Sequence, residues 1–119
     1  YRYTDAIILD NLLLTYILRE DWDKASEAAE KLMELSPKFP EAYFHDGMLK
    51  EHNGDLAGAL SRYEEALRKP FSAVSTESRS KVEAKRDELA KLVESERETD
   101  ASADEPSLEA APASNKSDE

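Results

Sequence analysis

The chain has 119 residues, 27 of them acidic and 16 basic, for a formal net charge of −11. That length suits one small domain, and a chain without cysteine has no disulfide framework, thiolate metal site or cysteine nucleophile. Three glycines and five prolines argue against a β-rich chain, and the acidic balance argues against nucleic acid, whose phosphates require a basic surface.

Helix signals dominate in chain order. Ile8, Leu9, Leu12, Leu13, Tyr16 and Ile17 recur at three- and four-residue steps, which predicts a first helix. Its densest apolar stretch, Ile7 to Leu18, is broken by Asp10, Asn11, Thr15 and Tyr16, and no run approaches the roughly 20 residues a membrane span needs. Asp21 or Asp23 can cap a second helix with Ala25, Ala28, Ala29, Leu32 and Leu35 on one side, stopped by Ser36-Pro37. Pro40 suits the first turn of a third helix, striped by Tyr43, Phe44, Gly47 and Met48. Asn53-Gly54 marks a turn and Asp55 a cap, opening a fourth helix through Leu60, Tyr63, Ala66 and Leu67 that ends at Pro70. From about Ser75 to Glu96, Val82, Leu89, Leu92 and Val93 outline a charged fifth helix with a solvated face. Residues 99–119 contain one large aliphatic side chain, Leu108, and six acids against one base. They cannot bury enough apolar surface to offset their ordering entropy, which predicts a disordered acidic tail.

The first four helices are two copies of one unit. Leu9 returns as Tyr43, Asp21 as Asp55, Ala25 as Ala59, Ala29 as Tyr63 and Leu32 as Ala66, each 34 residues on. Self-similarity at that period marks a helical repeat array. Small residues at Ala25, Ala59 and Gly47 let paired helices approach, and larger ones fill the space between turns. Read as Leu9, Leu12, Leu13, Tyr16, Ala25, Ala29, Leu32, Pro37 and as Tyr43, Asp46, Gly47, Lys50, Ala59, Tyr63, Ala66, Pro70, the two copies resemble the tetratricopeptide repeat (TPR) family. The resemblance implies an all-α, TPR-like α-solenoid of two antiparallel helix pairs. The organisation expected is repeat one over 1–39, repeat two over 40–70, a capping helix over 71–98 and the tail over 99–119. Two departures stand out. Leu13 replaces a small residue, which predicts a splayed first pair. Asp46 and Lys50, four apart, are expected to pair on an exposed face and loosen helices three and four. Helix one is apolar nearly all round, so it requires neighbours on two sides, either further repeats before Tyr1 or a second molecule.

Little in the chain carries chemistry. His45 and His52 stand two helical turns apart, roughly 10 Å along the axis, too far to share one ion. No serine has a positioned base or a glycine-rich nucleophile turn, so no enzyme activity, cofactor or metal is expected. In the TPR family the first helix of each repeat lines a concave groove. Carried over, the partner-facing positions are Asp10, Asn11, Leu14 and Leu18 in repeat one, and Glu41, Phe44, His45 and Met48 in repeat two. Apolar anchors mixed with acids would suit a helix or extended peptide bearing Lys or Arg, while the alternative for Leu14, Leu18 and Phe44 is packing against neighbouring repeats. The expected role is a non-enzymatic protein–protein interaction scaffold for a basic protein or peptide. The alternatives are a self-assembly element built on helix one and a regulatory appendage of a larger enzyme.

Overall fold

The computed structural model describes residues 2–72, 75 and 77–104. The described residues are helical: α1 (Tyr3–Leu18), α2 (Trp22–Glu34), α3 (Pro40–His52), α4 (Leu56–Leu67) and α5 (Arg79–Asp104), with no strand among them. The chain divides into two compact units, Tyr1–Leu89 and Ala90–Glu119. The first contains both hairpins and the opening turns of α5. The second contains the rest of α5, whose side chains from Glu94 to Glu98 are exposed. α5 continues six residues into the segment read as tail, and residues 105–119 of that segment lie outside the described ones.

In the first unit, α1 packs on α2 and α3 on α4, and α3 also meets both helices of the first hairpin. Small residues set those approaches. Ala25, Ala59, Ala66, Ala6 and Ala42 are fully buried, with Leu13, Leu32 and Tyr63 filling the space between them. Gly47 shows why size matters: a Cβ built there would sit 2.5 Å from Tyr63 Cε1, so the α3–α4 approach depends on its absence.

The helix ends follow the 34-residue period in detail. After α1, Glu20 N–H donates to the Ile17 carbonyl and Asp21 N–H to that of Tyr16. After α3, Gly54 N–H donates to Glu51 and Asp55 N–H to Lys50 in the same pattern. Both ends are Schellman turns with a left-handed residue, Glu20 at φ 59° and Gly54 at φ 85°. Pro40 occupies the first turn of α3. Asp55 caps α4 through Gly58 N–H, whereas Asp21 makes no side-chain cap bond.

Two expectations about packing are corrected. Leu13 does not splay the first hairpin; it is completely buried between helices in contact. Asp46 does not pair with Lys50 on an exposed face. It is buried, and Arg62 of α4 donates from Nε to its Oδ2 at 2.7 Å, so it ties α3 to α4. Burial holds the Asp46 carboxyl above its usual range, opposed by the charges of Lys50 and Arg62.

Candidate functional site

The N-terminal halves of α1 and α3 open onto a shared cleft of about 470 Å³. α1 contributes Tyr3, Ile7, Asp10 and Asn11, and the entry to α3 contributes Lys38, Phe39, Pro40 and Glu41. Pro70, Ser72 and Ser75 close its third side. Local chemistry fixes these walls. Tyr43 donates its hydroxyl to the buried Pro37 carbonyl at 2.6 Å, which pins the α2–α3 link. Phe39, extended ahead of the helical Pro40, meets Tyr3 edge to face with centroids 5.8 Å apart.

Behind the cleft, His45 bridges three elements. Its Nδ1 lies 2.7 Å from Asp10 Oδ1 on α1 and its Nε2 3.4 Å from Glu77 Oε2, two residues before α5. The imidazole is 1% exposed. Burial pulls its pKa down, but the hydrogen bond and charge of Asp10, followed by those of Glu77, outweigh that and raise it above 6.5.

A second network lies farther along α3. The Tyr63 hydroxyl donates to Glu51 Oε1 at 2.7 Å, and Lys85 of α5 approaches the same oxygen at 3.4 Å. Burial, then the Glu51 contact, pushes the Tyr63 phenol well above its ordinary value.

The positions expected to face a partner separate into three groups. Asp10, Asn11 and Glu41 come together on the cleft. Asn11 is exposed, but Asp10 and Glu41 are buried, and the Asp10 carboxylate is held by His45. Phe44 and His45 are also buried: the Phe44 ring lies 5.4 Å from Tyr63, with Lys81 Nζ 5.6 Å above it. Leu14 and Met48 are half-buried, and Leu18, at the far end of α1, is 72% exposed. None of these three lines the cleft. His52, the other histidine, stacks on Trp22 with centroids 3.5 Å apart, and no group of three metal-ligating side chains occurs among the described residues.

Sequence reasoning missed Tyr3, Ile7, Lys38 and Phe39 as cleft residues, and Glu77 as a partner of His45. The Phe39-Pro40 pair at the junction of the repeats was the available signal for the cleft. Glu77 had none, because its role depends on where α5 turns back onto α3.

No helix among the described residues is long and apolar enough to cross a membrane. No protein-family model and no solved structure matches the chain. Over 63 residues, 53% of its length, the chain is 33% identical to tetratricopeptide repeat protein 28 of Homo sapiens. It spans about 2% of that protein's length. Two helical hairpins in a 34-residue period, together with that similarity, support a TPR-like helical repeat.

Proposed function

We propose that the chain is a non-enzymatic protein-interaction module whose α1–α3 cleft takes a helix or extended peptide carrying Lys or Arg. The supporting observation is the make-up of the cleft: apolar Ile7, Tyr3 and Phe39 and the exposed Asn11 share its walls with Asp10, Glu41 and Lys38. Its apolar walls suit an apolar anchor, and the basic character follows from the chain's net charge of −11, which would speed the approach of a Lys- or Arg-bearing partner. Asn11 is an exposed wall residue on the lining, so it is a position to alter. The full chain should select Lys- and Arg-bearing peptides from a displayed library of amphipathic sequences. Asn11→Arg should weaken them at least tenfold, about 1.4 kcal/mol, with an unchanged unfolding midpoint. Equal retention of acidic and basic peptides, or indifference to Asn11→Arg, would remove the reading.

A second reading, self-assembly through α1, is favoured by a different observation. Ile8 and Leu12 are 53% and 40% exposed, yet their equivalents 34 residues on, Ala42 and Asp46, are buried on a helix that meets both helices of the preceding hairpin. α1 thus presents outward the face that α3 uses for docking. Concentration-dependent sedimentation abolished by Ile8→Asp plus Leu12→Asp would support it, and a concentration-independent monomer would exclude it.

A further inference from the structure

His45 is held by carboxylates from two different elements, and those two contacts are not equivalent. The contact to Asp10 is short, 2.7 Å, and joins two helices already packed together. The contact to Glu77 is longer, 3.4 Å, and joins α3 to the segment that leads into α5. Only an imidazolium can donate to both, because the neutral ring carries one N–H and turns a lone pair toward the other carboxylate. A neutral His45 therefore keeps one acid and repels the second. The shorter bond, between well-anchored partners, is the one retained.

The consequence falls on the opening turns of α5. Besides Glu77, these turns reach α3 through Lys81, which pairs with Glu77 Oε1 at 2.8 Å and sits over the Phe44 ring, and through Lys85 at Glu51. Lys81 is oriented by Glu77, so losing the Glu77 contact loosens the Phe44 contact with it. Facing His45 are Asp10 from α1 and Glu77 with Lys81 from the α5 side, while α3 itself carries Glu41 one turn earlier. From α4 the neutral Tyr63 phenol lies against Phe44.

We propose that Asp10, His45 and Glu77 form a proton-controlled latch: with both ring nitrogens protonated the start of α5 is held on α3, and with one proton lost Glu77 lets go and the first turns of α5 open away from Phe44. The direction follows from linkage. His45 titrates above its ordinary value in the closed form, so its contribution is fully present below pH 6.5 and is lost as pH rises through the raised value. The latch stands whether or not the cleft binds a peptide, since its parts belong to the chain itself.

Amide hydrogen exchange of the full chain from pH 5.5 to 8.5, corrected for intrinsic rates, tests it. Opening of residues 79–89 should increase with pH by up to about tenfold per unit, the limit for release of one proton, while amides of α1–α4 do not follow. His45→Gln should flatten the profile. Should that variant not fold, Glu77→Gln, which leaves Asp10 and His45 in place, should reduce the slope and lower the His45 titration midpoint followed by NMR. The proposal is overturned by equal slopes in wild type and Glu77→Gln, by a His45 midpoint at or below 6.5, or by all five helices opening together.

Discussion

The two hairpins place different residues at equivalent positions and still pack tightly, and the way they do so shows what the repeat conserves physically. In the second hairpin Gly47 on α3 faces Tyr63 on α4. In the first, 34 residues earlier, the same positions hold Leu13 and Ala29, both buried. One pair is smallest with largest, the other medium with small. The volume at that level of the hairpin is divided differently between its two helices, and close packing is kept in both. A large residue at position 13 therefore does not wedge the helices apart, because its counterpart on α2 is reduced to a methyl group.

This trade can be broken by moving one half of it. Gly47→Leu installs the residue of the first hairpin opposite the unreduced Tyr63, where even a Cβ has no room, and should cost about 3 kcal/mol. Tyr63→Ala alone should cost about as much, through the cavity it leaves and the Glu51 contact it loses. Together they recreate the Leu13–Ala29 division, so the double variant should be more stable than the sum predicts by about 1–3 kcal/mol. A double-mutant cycle from urea unfolding measures that coupling. Strictly additive losses would show that the two positions do not share one volume.

The turns that end α1 and α3 differ at the left-handed position. Their Schellman hydrogen bonds are the same, yet the left-handed residue is Glu20 in one and Gly54 in the other. A side chain in that region costs roughly 1–2 kcal/mol that glycine does not incur. Glu20→Gly should therefore stabilise the protein by about 1 kcal/mol, and Gly54→Glu should destabilise it by a similar amount. Thermal unfolding of the two variants checks the symmetry of the effect. A Glu20→Gly variant no more stable than wild type would mean that Glu20 makes a compensating contact.

Most of the fold was legible in the sequence because it rests on local signals. Helix periodicity, Pro40, Asn53-Gly54 and Asp55 each act within a few residues, and the 34-residue period multiplied them into an architecture. Size trading between positions 13 and 29 was not legible, since it requires knowing which side chains of two helices meet at one level. Asp46 was misread for the same reason. A helical wheel places Lys50 four residues away, but the partner that arrives is Arg62 from α4. For the candidate site, sequence reasoning reached Asp10, Asn11 and Glu41 on the cleft. It did not foresee that Asp10 and His45 bond to each other, because nothing local connects residues 35 apart in sequence.

The smallest contrast lies at the helix starts, where Asp55 caps α4 and its equivalent Asp21 makes no cap bond to α2. Gly58 supplies the reason. Its N–H donates to Asp55 Oδ1 at 3.0 Å, and a Cβ built at Gly58 would collide with the Asp55 carboxylate. The equivalent of Gly58 in the first hairpin is Lys24, which carries the Cβ that the Asp55 pose at Gly58 excludes. Asp55→Ala should accordingly cost about 1 kcal/mol and Asp21→Ala no more than a few tenths. Gly58→Ala should be close to neutral, because the helix gains roughly what the displaced cap loses. Urea midpoints of the three variants resolve effects of that size. Equal losses at Asp21 and Asp55 would show that the side chain at the third helical position does not decide which aspartate caps.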